Sequence, residues 1–199
     1  KNVIFFLSIL FALALKIEGQ SYSMILNDYW KFSPEDHTTV LSSDFDDSQW
    51  KSISTKKYWE KQGFENHDGY AWYHQKVVVP DEWKKTAIKN GGLYLKYDFA
   101  ANVDEIYFNG RWIGRMGEFP PHLKVNYQDV RKFRIPAELI HFGEENRLAI
   151  RIYNKGGYGG LKTDEISLSV ITDIDSLRFG VKTDENVVFE NNEYISFSI

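Results

Sequence analysis

Four residues in the second half of this 199-residue chain have types suited to holding a ring-shaped polar ligand: Trp112, Arg115, Glu118 and Tyr158. An indole or phenol ring offers a flat apolar face. A guanidinium or a carboxylate offers paired hydrogen-bonding atoms in a fixed fork. Together these suit a ligand with one CH face and vicinal hydroxyls, which is the chemistry of a sugar. Trp112 follows the dipeptide Asn109-Gly110, and Arg115, Glu118 and His122 run into the segment beyond it, stiffened by Phe119-Pro-Pro121. Trp59, Asn66 and His67 lie in a long loop before an aromatic strand, and Tyr158 stands within Gly156-Gly-Tyr-Gly-Gly160. The competing reading packs Trp112 into a core and pairs Arg115 with Glu118 on the surface.

No catalytic residues are recognised in the chain. A serine hydrolase of the nucleophile-elbow type needs Gly-x-Ser-x-Gly, which the chain lacks, and it has no cysteine for thiol chemistry. His37, His67, His74, His122 and His141 follow no metal-ligand spacing of the His-Glu-x-x-His kind. Gly156–Gly160 lacks the Lys-Ser/Thr of a phosphate loop, so its glycines read as a sharp turn after a strand. Asp46-Asp47 could contribute to a structural Ca²⁺ site, since hard cations favour carboxylates and loop carbonyls. Two solvated acids in a turn is the simpler account. No other cofactor is expected.

Longer patterns supply the elements that would position these residues. Leu93, Leu95, Tyr97 and Phe99 alternate with Tyr94, Lys96 and Asp98. Leu148, Ile150 and Ile152 alternate with Arg147, Ala149 and Arg151, and Ile166, Leu168 and Val170 with Ser167 and Ser169. Tyr73, Gln75, Val77 and Val79 form a fourth such face, closed by Pro80. A period of two predicts half-buried strands. Asn-Gly tolerates the positive φ of a type I′ hairpin turn. Helical signal is confined to Pro136-Ala-Glu-Leu-Ile140, with Gly143 where a helix would end. Lys96, Arg147 and Arg151 are expected to guard edge strands against pairing between molecules. The fold class is therefore all-β, a jelly-roll β-sandwich over residues 20–170.

Val3 to Leu15 is an apolar run flanked by Lys1 and Lys16. As a helix it would reach about 20 Å, short of the roughly 30 Å hydrocarbon core. Residues 1–19 therefore read as a signal peptide rather than a membrane span. Export without any cysteine suits a bacterial periplasm or secreted fraction. The net charge of −4 gives no footprint for nucleic acid. Residues 171–199 hold one strand-like run, Val187-Val-Phe189, and end in the alternating Tyr194-Ile-Ser-Phe-Ser-Ile199. They read either as a tail ending in a last edge strand or as the start of a following domain.

Six segments in order carry a family resemblance: Trp30-Lys-Phe32, Asp44-Phe-Asp-Asp-Ser-Gln-Trp50, Tyr58-Trp-Glu-Lys-Gln-Gly63, Asp68-Gly-Tyr-Ala-Trp-Tyr73, Asn109-Gly-Arg-Trp-Ile-Gly114, and Ile135-Pro136 with Glu145-Asn-Arg-Leu-Ala-Ile150. Together they resemble the galactose-binding-like sandwich that serves as the sugar-binding domain of family 2 glycoside hydrolases and recurs in sialate O-acetylesterases. Two departures stand out. Asn154-Lys-Gly-Gly-Tyr-Gly-Gly-Leu161 closes the domain in the manner of the esterase version, and His74 sits where the family often carries Arg. The resemblance implies a non-catalytic module of an exported glycan-degrading hydrolase. Its partners would be a glycan and a catalytic domain, against which it would dock. Those hydrolases keep their carboxylates on a separate barrel of about 250 residues, so Asn192-Glu193 reads as a polar turn. The alternatives are a stand-alone glycan-binding protein, a ligand-free spacer, or a hydrolase whose catalytic residues escape recognition.

Overall fold

The computed structural model describes residues 22–126, 130–172, 179–181 and 187–189. The apolar leader, Asn192-Glu193 and the terminal Tyr194–Ile199 run lie outside the described residues. Ten strands build two antiparallel sheets. They are β1 (Ser23–Ile25), β2 (Tyr29–Ser33), β3 (Lys51–Ser54), β4 (Gly69–Val78), β5 (Leu93–Tyr97), β6 (Val103–Phe108), β7 (Arg111–Met116), β8 (Arg131–Ile135), β9 (Glu145–Asn154) and β10 (Ile166–Val170). The smaller sheet runs β1-β10-β5-β8 and the larger β3-β2-β4-β9-β6-β7. A separate two-stranded ladder joins β11 (Phe179–Val181) to β12 (Val187–Phe189), the latter at the strand-like run Val187-Val-Phe189.

The period-two pattern is realised on these strands. Leu93, Leu95 and Tyr97 of β5, Ile150 and Ile152 of β9, and Leu168 of β10 are buried between the sheets with Trp30, Phe32 and Tyr73. The Asn-Gly turn joins β6 to β7 as expected, with φ of 48° at Asn109 and 74° at Gly110. Asn109 is also a fastener: its Nδ2 donates to the Leu139 carbonyl and to Asn146 Oδ1, and its Oδ1 accepts from the Arg147 N–H, all at 2.8 Å.

Three expectations need correction. A helix α1 (Lys84–Asn90), entered by a 3-10 turn over Asp81–Trp83, was not read from the sequence. Only Trp83 and Ala87 turn inward, so seven residues give too little periodicity to see. Gly91 ends α1 in the left-handed region at φ 84°. Pro136–Ile140 folds only as a 3-10 turn over Ala137–Leu139. Finally, Lys96, Arg147 and Arg151 guard no edge: β5 and β9 are interior strands, and the edges are β1, β8, β3 and β7.

The middle of β4 is buried on both faces, Trp72 and His74 as fully as Ala71 and Tyr73. The segment between β2 and β3 lies over the outer face of the larger sheet, where Val40, Leu41, Phe45 and Trp50 pack with Trp72, Ala149 and Tyr107. His74 anchors it from below, its Nδ1 lying 2.6 Å from Asp47 Oδ2. Arg147 Nη1 holds it from the side by donating to the carbonyls of Ser42 (3.2 Å) and Phe45 (3.0 Å).

Candidate functional site

One end of the sandwich is formed where β9 runs out at Asn154 and β4 begins at Gly69, residues that face each other in the ladder. Two loops meet there: residues 155–160 after β9, and the 3-10 turn Trp59–Gln62 with the loop leading to β4. Trp59 joins them. Its indole is fully buried against Phe32 and its Nε1 donates to the His67 carbonyl at 3.2 Å. A Cβ at Gly159 would stand 2.2 Å from the Trp59 ring, and one at Gly160 would stand 2.5 Å from Tyr73 Oη. These two glycines are needed for close approach to the core, as well as for the turn. Hydrogen bonds fix the rest: Trp59 N–H to the Gly159 carbonyl (3.2 Å), Gly159 N–H to Glu60 Oε1 (2.9 Å), and Asn154 Nδ2 to the Gly157 carbonyl (3.1 Å).

The loop so held lifts Tyr158 into solvent, 58% exposed. Its ring stacks on Tyr58 with centroids 5.0 Å apart and planes 18° from parallel. The Lys61 ammonium lies 5.3 Å from its centre. Beside this stack opens a cleft of about 270 Å³ lined by Glu60, Asn66, Asp68, Gly157 and Tyr158. Asn66 holds a left-handed φ of 62° at the turn that brings it to the rim. The arrangement has an aromatic platform with carboxylate and amide oxygens and an amide NH₂ around it. It can stack on an apolar ring face and accept and donate hydrogen bonds at that ring's edge.

The structure scatters the other residues singled out from the sequence. Of that set only Tyr158 and Asn66 come together in the cleft; Trp59 lies beneath it as support, and the His67 ring is turned to the Tyr70 carbonyl at 3.0 Å. Trp112 projects from edge strand β7, 57% exposed and opposite Tyr107, so it does not pack in the core. Four residues along the same strand, about 13 Å at 3.3 Å per residue, Met116 faces Asp104 at the end nearer the cleft. Arg115 is exposed opposite Glu105, with no ion pair to Glu118. Glu118 pairs through its backbone with Lys124. Tyr58, Glu60 and Asp68 were missed as candidates, although the first two flank Trp59 and the third opens the aromatic strand.

Arg151 organises the outer face of the larger sheet. Its Nε and Nη2 bind Asp36 at 2.8 and 2.5 Å, its Nη1 binds Glu105 at 2.9 Å, and its guanidinium lies 4.4 Å from the Tyr70 ring centre. Burial, reinforced by Glu105, pushes the neighbouring Tyr107 phenol up to about 12. Asp46 and Asp47 do not converge: Asp46 accepts from the Ser48 N–H at 2.9 Å, while Asp47 turns inward to His74. Among the described residues no helix is long and apolar enough to cross a membrane.

No family model matches the chain, and no curated protein matches it. Solved structures do. A β-glucuronidase of Bacteroides uniformis is similar with a TM-score of 0.60 at 23% identity, over 84% of this chain and 21% of that one. A glycosyl hydrolase family 2 member from Bacteroides cellulosilyticus gives 0.59 at 19%, over 83% and 24%. A β-glucuronidase from Ruminococcus gnavus bound to an N1-substituted uronic isofagomine gives 0.62 at 14%, over 87% and 34%. At these identities the likeness is one of fold. The resemblance to the sandwich of family 2 hydrolases therefore holds for architecture, and the chain spans a minor part of the hydrolases it matches.

Proposed function

We propose that this β-sandwich is the accessory, non-catalytic domain of an exported glycoside hydrolase, and that it holds glycan at the Tyr158 cleft while docking against a catalytic domain. The observation that carries the glycan part is the exposed Tyr158 ring, stacked on half-buried Tyr58, beside a cleft rimmed by Asn66, Asp68 and Glu60. A solvent-facing aromatic ring is costly to leave uncovered, and here Tyr158 is held by its stack on Tyr58 beside side chains that can bond hydroxyls. The accessory role is supported by fold likeness to hydrolase chains of which this chain covers only 21% to 35%. The exposed Trp112 on edge strand β7 suits the docking face rather than the cleft.

Tyr158→Ala removes the platform from an exposed loop tip, so it leaves the melting temperature within a few degrees of the parent while weakening glycan affinity by about tenfold. Titration of the purified chain and variant against an oligosaccharide panel, followed by amide chemical shifts, measures both. A Tyr158→Ala protein that binds as the parent does would remove the cleft from the proposal. Turnover of chromogenic glycosides or acetyl esters by the purified chain, abolished by a point substitution, would overturn the non-catalytic role.

A further inference from the structure

The lining of the cleft is acidic. This inference rests on the reading of the cleft as a glycan site. Two of its lining side chains, Glu60 and Asp68, are carboxylates, and among the described residues neither is in an ion pair. Glu60 Oε1 accepts from the Gly159 N–H, whereas Glu60 Oε2 is buried without a hydrogen-bond partner. Asp68 stands exposed in the lining beside the glycine-rich loop, its Oδ2 4.0 Å from where a Cβ at Gly156 would stand. Lys61 sits over the Tyr158 ring, directed to the aromatic stack rather than to either carboxylate, and Lys155 stands exposed at the start of the glycine-rich loop, paired with neither.

We propose that the cleft takes amino sugars in preference to neutral sugars and turns uronic acids away. The aromatic platform is indifferent to charge at the ring substituents, since every pyranose presents a CH face. The carboxylates are not indifferent. A hydroxyl or ammonium group placed against exposed Asp68 donates a hydrogen bond to a charged acceptor, roughly twice as strong as to a neutral one, and Glu60, whose oxygens are bonded or buried, adds its charge through space. A uronate placed there brings like charge against like and has no proton to give. Fold likeness to β-glucuronidases would then not extend to the charge of the sugar held.

The test uses the purified chain and a panel in which each neutral oligosaccharide has an amino-sugar and a uronic-acid counterpart of the same linkage. Affinities are measured at low and at 0.5 M salt. The expected order is amino, then neutral, then uronic, with steps of roughly twofold to fivefold, the range of a partly screened charge contact. Asp68→Asn, an exposed and conservative change, should narrow the spread, as should added salt; Glu60→Gln should do the same with its bond to Gly159 retained. A uronic oligosaccharide that binds as tightly as its neutral counterpart, and loses that binding in Tyr158→Ala, would overturn the charge selection while leaving the glycan site standing. If no member of the panel binds, or if Tyr158→Ala changes none of the affinities, the site itself falls and the selectivity with it.

Discussion

Trp59 does two jobs through one side chain. Its buried indole extends the aromatic cluster of Phe32 and Tyr73, and the opposite edge of the same ring sets the floor on which Gly159 rests. Stability and site geometry are therefore coupled at this residue. Trp59→Ala is expected to cost about 3–5 kcal/mol, read as a fall in the urea midpoint, and to release the loop bearing Tyr158. Gly159→Ala separates the two effects. It leaves the core intact but forces a Cβ against the indole, so it should shift the loop and weaken glycan binding by about tenfold, with a smaller stability loss of about 1–3 kcal/mol. Equal losses of stability in the two variants would argue against the floor role. Neither coupling was legible in the sequence, where Gly156–Gly160 announces a turn but not what the backbone must approach.

At the scale of elements, patterns that repeat along the chain were readable and contacts across it were not. The alternation in Leu93–Phe99, Leu148–Ile152 and Ile166–Val170 gave three strands, and Asn109-Gly110 gave the hairpin. The second buried face of β4 was invisible, because what covers it is a loop about thirty residues earlier with no periodicity of its own. The edges were misjudged because charge on a strand says nothing of its neighbours: Arg147 and Arg151 are spent on Ser42, Phe45, Asp36 and Glu105. The covering loop also carries a pH dependence. Burial holds the pKa of His74 below its ordinary 6.5, although Asp47 pulls the other way. The unfolded chain thus takes up a proton at a pH where the folded chain does not. Stability from this site is whole above about pH 6.5 and is lost as the pH falls towards the folded-state pKa. Urea midpoints between pH 7.5 and 5 should decline more steeply for the parent than for His74→Gln. Parallel slopes would show that the histidine titrates alike in both states.

The two sheets are tied by more than apolar packing. Tyr97 on β5 and Arg131 on β8, both in the smaller sheet, converge on Asp104 of β6 in the larger one. The Tyr97 hydroxyl donates at 2.5 Å and Arg131 Nε at 3.1 Å, and Arg131 Nη2 reaches the carbonyls of Ala100 and Asn126. All three side chains are buried. Removing the acid leaves a guanidinium uncompensated in the interior, so Asp104→Ala should cost about 3–5 kcal/mol. Tyr97→Phe loses one hydrogen bond and should cost about 1 kcal/mol. Chemical denaturation of both variants measures the ordering; an Asp104→Ala protein as stable as Tyr97→Phe would mean that water reaches the guanidinium. The sequence showed the general sandwich but not this clamp, since Asp104 and Arg131 each sit in strands whose neighbours are unremarkable polar and apolar residues.

The close seating of Gly159 and Gly160 also divides the rim into a fixed chassis and a replaceable tip. Residues 155–158 are exposed, whereas Asn154 behind them and the two glycines ahead are buried. Diversity introduced at Lys155 and Tyr158 would alter what the cleft presents without disturbing the hydrophobic floor, whereas Gly156 and Gly157, at φ 142° and 84°, must remain glycine. A combinatorial library confined to Lys155 and Tyr158 is thus the direct route to new binders on this scaffold.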